Sequence, residues 1–575
     1  TIYTAVAEDD SFISYNLESA GDDDLELFNI NSATGVVILN DNPDYESRQN
    51  YNFTVGVTDQ AGNINTKQVK LPIQDVEEIG STPSPSFSWS NKIGGAGDDK
   101  TTSIDSFEDG SSLISLEFSG EISIGDLNFN STGDYDTLIA KVNPDGTYAW
   151  ASQIIDEGSG THNYRTHTKK VSTLSDGSSI ISGVHFGTAH FGDIEIESSN
   201  PRSYRGDNYI AKLDSDGSFS WVKQFVGAHN ISGIVSLEDG TSLITGLFYS
   251  QITLGEFDLS SPDYGSFIAK INSDGSFDWV KKSHSIRDID AFEDGSFVTT
   301  TSGGNADILS VTKSSENGDV IWTVRAEGTS DVQSNAITSL PNGESIITGS
   351  FSGRLTFGDV VLSAPPGNNL FVAKINNEGS FEWAKQPSTT DNWDYSTGME
   401  ISSFEDGSAV ITGTIKDTVG FGDSILEANG WDIFVAKVNS DGSFAWAKKA
   451  DGSERTAGNV GRDITVNPDG SAVILGEFKG ITTFGNQNLI SNQDSRDIFI
   501  AKLESDNNLE SDNNLVIETP VLSPESDSGI SGQKSNSQIS GVNLEGTSGH
   551  DEIFGGIGDD TLNGLGGNDE IYGGD

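Results

Sequence analysis

The chain has 575 residues, 34% of them hydrophobic, with 66 Gly, 29 Phe and no Cys. Its formal charge of −55 at pH 7 excludes nucleic acid and anionic lipid surfaces as partners, because their phosphates would be repelled. Disulfide staples, Cys-ligated zinc and thiol catalysis need a residue the chain lacks, and no apolar run reaches the ~18 residues of a membrane-spanning helix.

No long amphipathic helical period runs through the sequence. The abundance of Gly, Asp, Asn and Ser between short apolar runs predicts an all-β, turn-rich protein. The length suggests about three to five domains, and the acidity favours multivalent cations as partners. Thr1 opens no signal-like segment, and Asp575 interrupts a repeat, so the sequence reads as a fragment of a longer chain.

Residues 1–79 form the first module. Tyr51 to Val57 and Val69 to Ile73 alternate apolar and polar side chains and read as strands, with turn signals at Gly35, Asn42-Pro43 and Ala61-Gly62-Asn63. Carboxylates gather at the strand ends: Asp9, Asp44, Glu46, Asp59, Asp75, Glu77 and Glu78. Ala7-Glu8-Asp9, Asp44-Tyr45-Glu46, Thr58-Asp59-Gln60-Ala61-Gly62-Asn63 and Asp75-Val76-Glu77-Glu78 keep the order of a cadherin repeat, which the module resembles. That resemblance implies a seven-stranded β-sandwich with calcium at its ends. Asp44, Glu46, Asp75 and Glu77 would serve the downstream junction, and Asp9 and Asp59 the upstream one. Ser11 departs from the pattern, the family's first strand would precede Thr1, and a Pro/Ser linker at 80–86 follows where a second cadherin would stand.

Residues 87–503 are built on one recurring stretch. Its clearest copy runs from Asp432 through Phe434, Lys437 and Asp441-Gly442 to Trp446 and Lys448. It reads as strand, Asp-Gly turn, strand. Ile433 and Val435 fall on one face, Phe434, Ala436 and Val438 on the other, so both faces must be covered. Lys141, Lys212, Lys270, Lys313, Lys374 and Lys437 each stand nine residues before a Trp. A second hairpin per unit, such as Ile401 to Gly413, gives four strands. The unit ending at Lys502 lacks its final strand, and an orphan copy of that strand stands at Phe87 to Lys92. The predicted fold is a seven-bladed β-propeller closed by this N-terminal strand. All units but the fourth insert a Phe-Gly-like pair, as at Phe191-Gly192, so the fourth should have a shorter edge. The stretch resembles the bacterial β-propeller repeat family of secreted and surface proteins.

Catalysis has no clear residues here. Ser273 to Trp279 resembles the Asp-box of sialidases but places Ser276 where Gly is expected, and no Arg cluster recurs. His162, His167, His185 and His190 share the second unit, and spacing of five places strand residues on opposite faces. The expectation is no catalytic residue and no resident organic cofactor.

Residues 504–540 repeat Glu-Ser-Asp-Asn-Asn-Leu and turn Ser-, Asn- and Asp-rich, which reads as an acidic flexible linker. In 541–575 the period becomes nine. Asp551, Asp560 and Asp569 recur with Gly549, Gly555, Gly556, Gly558 and Gly567, and with Ile553, Leu562 and Ile571 stacked inward. Carboxylates and glycine-freed carbonyls are what a hard cation such as Ca2+ takes. The segment resembles the RTX calcium-binding β-roll. The resemblance implies calcium-driven folding after export by a type I secretion machinery.

The combined expectation is an extracellular or cell-surface bacterial protein that is a calcium-binding adhesin or matrix component. Its partners would be calcium, cell-surface proteins or glycans, and other copies of itself through calcium-dependent self-association. The alternative is a carbohydrate-binding propeller accessory to a secreted hydrolase.

Overall fold

In the computed structural model, the described residues are 85–505, apart from short gaps at 96, 133–134, 158–166, 200–205, 303–307, 390–394, 453–458 and 493–494. To these are added strands in 3–72 and in 534–572. The described residues contain strands and turns and no helix, and they divide into two compact units, Thr1–Ser511 and Asp512–Asp575. The fold is all-β and propeller-like.

At the N-terminal end, Tyr3–Thr4, Val36–Leu39 and Phe28–Ile30 form one antiparallel sheet, and Ser14–Glu18, Asn50–Thr58 and Ile64–Pro72 another. Phe28 and Phe53, one from each sheet, meet with ring centroids 4.6 Å apart. Both are buried together with Tyr15, Val37, Val55 and Val69.

From Phe87 onward the described strands form seven four-stranded antiparallel units. The first holds Lys100–Ser106, Ser112–Phe118, Asp136–Val142 and Tyr148–Asp156 in that order. Each unit's first strand touches the first strand of the next, and Val460–Val466 of the seventh returns to Lys100–Ser106 of the first. The seventh unit is completed by Phe87–Gly95, which pairs with Asp497–Leu503 and sets Trp89 opposite Lys502. The orphan strand therefore closes a ring, which removes an open edge. The long strand Val320–Ser339 is both the outer strand of the fourth unit and the inner strand of the fifth.

Every third strand except Ile308–Ser314 of the fourth unit feeds two cores. Ile433 and Val435 join Phe478 and Phe499 on one side, whereas Phe434, Ala436 and Val438 join Ile411 and Phe421 on the other. Burial on both faces explains why these strands are continuously apolar.

The inserted Phe-Gly hairpins have an arrangement the sequence does not reveal. Those of the first, second, fifth and seventh units pair with the outer strand of the preceding unit. Ile154 to Asp156 of the first unit pair with Phe191 to Ala189 of the second, and Asp451 and Gly452 pair with Thr483 and Thr482. The fourth unit has only residues 303–307 between its second and third strands, so Phe277–Ser283 of the third unit receives no such hairpin.

In the C-terminal unit the strands pair in parallel. Lys534–Asn536, Glu552–Phe554 and Glu570–Tyr572 form one sheet; Asn543–Glu545 and Thr561–Asn563 form a second. Ile553 stands in register with Ile571, and Leu544 with Leu562, eighteen residues apart. Successive nonapeptides therefore alternate between two sheets. Lys534–Asn536 also lies inside the stretch that composition reads as linker.

Candidate functional site

The recurrent residues prove to be latches. In the turns before Trp150, Trp221, Trp279 and Trp446, an Asp carboxylate accepts from the Ser or Thr two residues on; before Trp383, Asn376 Oδ1 accepts from Ser380 N instead. Asp441 Oδ1 accepts from Ser443 N at 2.8 Å and Ser443 Oγ at 2.6 Å, and Asp274 does the same with Ser276. These bonds hold the carboxyls of Asp145, Asp216, Asp274 and Asp441 below the usual carboxylate range. The Asp-box likeness is therefore a turn device.

In five units the recurrent indole donates into the following unit, whereas Trp279 Nε1 is buried without a partner. Trp150 Nε1 donates to Ser215 O at 3.0 Å, Trp322 to Asn377 O at 2.9 Å and Trp383 to Ser440 O at 3.0 Å. Each ring lies flat against the turn glycine, so a Cβ on Gly217 would stand 2.5 Å from Trp150.

The recurrent Lys spans its own unit. Lys141 pairs with Asp109 at 3.0 Å and lies 4.2 Å above the Phe107 ring. Lys374 pairs with Glu344 at 2.6 Å. Lys313 lies 4.1 Å above the Phe292 ring and donates to Asn377 Oδ1 at 2.6 Å.

At the axis lies a small cavity of about 150 Å³ lined by all seven first strands, among them Asp105, Lys170, Asp288, Asp290, Glu400 and Asp463. Lys170 and Glu400 pair at 3.3 Å. Glu400, Asp288 and Asp463 together hold the Lys170 ammonium above the ordinary lysine range. The Asp residues act as staples between units. Asp105 Oδ2 accepts from Thr173 N at 2.8 Å, Asp288 Oδ2 from Ile337 N at 2.9 Å, Asp290 Oδ2 from Ser339 N at 2.7 Å, and Asp463 Oδ2 from Ile104 N at 2.9 Å. Burial pushes the Asp105 carboxyl up to about 6 and raises Asp288, Asp290 and Asp463. These groups are spent on closing the ring, and the cavity is smaller than the ~300 Å³ of an ordinary ligand pocket.

Sequence reading missed this set, although a signal exists. The axial position four residues before each first hairpin is Ser103, Lys170, Gly233, Asp288, Ala336, Glu400 and Asp463 in turn. A register shift in the ladder immediately precedes it in all these strands except that of Asp288, and such bulges re-aim side chains.

A larger depression, about 710 Å³, opens where the first hairpins of the first, sixth and seventh units meet. Phe107, Phe404, Lys437, Asp406, Asp469 and Asn467 line it. Asn467 takes the place held by Phe or Leu in units such as the first (Phe107), second (Leu174) and sixth (Phe404).

The sequence-predicted ligands Asp9, Asp44, Glu46, Asp59, Asp75, Glu77, Gly549, Asp551, Gly555, Gly556, Gly558, Asp560, Gly567 and Asp569 all lie outside the described residues. So does His162. Buried His185 uses Nδ1 toward Gly187 O at 3.2 Å, whereas His190 pairs with Glu157 at 3.2 Å. Among the described residues no three His, Asp or Glu side chains converge as a metal site, and there is no helix long and apolar enough to cross a membrane.

Residues 545–575 match the family of RTX calcium-binding nonapeptide repeats, in 4 copies. No curated protein matches the chain. Among solved structures, the chain is similar to hydrazine synthase from Kuenenia stuttgartiensis, at 10% identity over 73% of this chain and 99% of that one, with a TM-score of 0.39. It is also similar to a quinonprotein alcohol dehydrogenase-like protein from Bacteroides thetaiotaomicron, at 9% identity over 76% and 88%, with a TM-score of 0.34. Likeness at this level carries no argument. Residues 545–575 are the part of the chain that a family model matches.

Proposed function

We propose that the chain is a calcium-binding, extracellular bacterial adhesin or surface-matrix protein that works by binding and not by catalysis. The observation that carries this reading is the match of residues 545–575 to RTX calcium-binding repeats. In support, their strands pair in parallel at eighteen-residue spacing, as two nonapeptides per turn of a β-roll require. Asp551, Asp560 and Asp569 hold calcium between turns, and Gly549, Gly555, Gly556, Gly558 and Gly567 free the carbonyls that complete the shell.

In this reading residues 87–503 are a seven-bladed propeller, 1–79 a cadherin-like sandwich with calcium ligands at Asp9, Asp44, Glu46, Asp59, Asp75 and Glu77, and export follows the type I route. The propeller presents the contact surface. The 710 Å³ depression beside Asn467 is large enough for a sugar and favours the second reading, a carbohydrate-binding propeller that serves a secreted hydrolase.

The test is sedimentation velocity of the whole chain with calcium and with chelator. Compaction together with a heavier, concentration-dependent species supports calcium-dependent adhesion. A change of shape without a change of mass leaves calcium as a folding ligand and moves the search to glycans. No response to calcium refutes the proposal.

A further inference from the structure

One junction of the ring is left open. At the others, the inserted hairpin of a unit lies alongside the outer strand of the unit before it, or alongside the chain that continues that strand. Backbone ladders join five of them, as where Asp451 and Gly452 meet Thr483 and Thr482. At the sixth, Gln251 O of the third unit stands 2.8 Å from where a Cβ on Gly227 of the second would lie. Phe277–Ser283, the outer strand of the third unit, is paired on one side only among the described residues.

The seat of the missing hairpin is bare and apolar. In the second unit, Phe191 of the hairpin packs on Phe219 with ring centroids 5.3 Å apart, and both share a core with Ile154 of the first unit. The fourth unit's counterpart of Phe219, two residues before the Trp, is Val320, and it is 66% exposed. Five residues before the recurrent Lys, other units hold buried Asp207, Asn369 or Asp432; the fourth holds Ile308, 38% exposed. The opening thus has strand backbone along one wall and apolar side chains where a hairpin would otherwise rest.

Backbone alternation tells which groups face the opening. In the first unit Asp156 N turns inward to Asp136 Oδ1 at 3.1 Å, whereas Glu157 N turns outward to Thr188 O of the second unit's hairpin at 3.1 Å. Ile155, two residues before Glu157, therefore faces outward as well. It stands five residues after Trp150, and five residues after Trp279 stands His284. The opening is also basic. From Val280 to Arg287 the chain carries Lys281, Lys282, His284 and Arg287 and no carboxylate, within a chain of formal charge −55. Lys281 reaches Asp319 of the fourth unit at 2.7 Å. Lys282, on the opposite face, donates to Ser260 O at 3.1 Å and has donors to spare.

We propose that this edge of the third unit docks an extended acidic peptide of a partner protein, which adds to the sheet as a fifth strand. The peptide takes the place that a fourth-unit hairpin would fill. Its backbone pairs with the chain around His284, alternate apolar side chains cover Val320 and Ile308, and its carboxylates meet Lys282 and its basic neighbours. A second copy of this chain is the poorer occupant: edge-to-edge pairing would set Lys281 and Lys282 of one copy against those of the other. The site is separate from the calcium-binding repeats, and its occupancy does not depend on them.

The probe is a fluorescein-labelled peptide with the sequence of residues 188–197, the second unit's own hairpin, which carries Asp193, Glu195 and Glu197. Within the chain that hairpin is tethered in its own slot, so the free copy meets only the open edge. Fluorescence anisotropy with the whole chain should show saturable binding, one peptide per chain. His284→Pro removes an edge N–H and should weaken binding by about tenfold. Lys282→Glu should weaken it by about as much at low ionic strength and by less in high salt, and it decides alone if His284→Pro does not fold. A peptide with Lys at the three acidic positions should not bind. Absence of binding, binding that neither variant weakens, or equal binding of the Lys peptide overturns the proposal. So does a dimer of the chain alone, seen by sedimentation, that Lys282→Glu strengthens, since the edge would then be taken by a second copy.

Discussion

Replacing Gly217 by Ala tests the indole latch. Gly217 has φ +83, and an added Cβ would stand 2.5 Å from the Trp150 ring. A non-glycine residue in that region costs about 1–2 kcal/mol. The overlap adds about 1–3 kcal/mol of overpacking. It also displaces an indole that donates to Ser215 O at 3.0 Å, worth about 0.5–1.5 kcal/mol. The expected loss is about 2.5–6.5 kcal/mol. Gly240 is the control: its φ is +78 and nothing lies within 4 Å of an added Cβ, so Gly240→Ala should cost only the backbone strain of about 1–2 kcal/mol. All 9 Trp fall between Trp89 and Trp446, so tryptophan fluorescence during urea unfolding reports on this region alone. Equal losses for the two variants would refute the latch, and a Trp150→Ala background should erase the difference between them.

Asp463→Ala leaves the buried Ile104 N–H, now held at 2.9 Å, without an acceptor and should cost about 1–3 kcal/mol; an unchanged urea midpoint would count against the axial staples. The Asp105 carboxyl, pushed up to about 6 by burial, should favour folding below about pH 4 and lose that contribution as pH rises through about 6. Asp105→Asn keeps the acceptor for Thr173 and should flatten that part of the profile. Combining Asp551→Ala with Asp560→Ala should abolish the calcium-induced change in far-ultraviolet circular dichroism, and leave tryptophan fluorescence unmoved.

The strands with two apolar faces were legible because burial on both sides leaves a continuous run, as from Ile433 to Val438. Closure was legible because an orphan strand at Phe87 and a missing one after Lys502 leave complementary debts in the pattern. The staples were hidden for a physical reason: the partner of Asp463 or Asp290 is a backbone N–H in another unit, and every residue but Pro has one. The crossing of Phe-Gly hairpins such as that at Phe191 onto the preceding unit was hidden likewise, since its ladder is made by backbone groups. Period nine in the C-terminal repeats was visible, yet the eighteen-residue register depends on which side the chain turns after each strand. The calcium ligands predicted there and in residues 1–79 lie outside the described residues, so their placement rests on the motif.

The acidity itself divides into two chemistries. Within the ring units the carboxylates already have partners of the protein's own making. Asp441 and Asp274 hold their turns through Ser hydroxyls, Asp109 and Glu344 meet the recurrent lysines, and Asp105, Asp290 and Asp463 accept backbone N–H groups of the next unit. A carboxylate so engaged gains little from a divalent cation, which would have to displace those bonds. The nonapeptide repeats offer no such lysines: between Gly546 and Asp575 there is neither Lys nor Arg, while Asp551, Asp559, Asp560 and Asp569 recur among glycines. Repulsion there has no internal remedy, and calcium supplies the missing charge. Chelation should therefore unfold residues 512–575 and leave the ring's unfolding midpoint in urea where it was. A ring that loses stability in step with the repeats would mean that its carboxylates, too, depend on calcium.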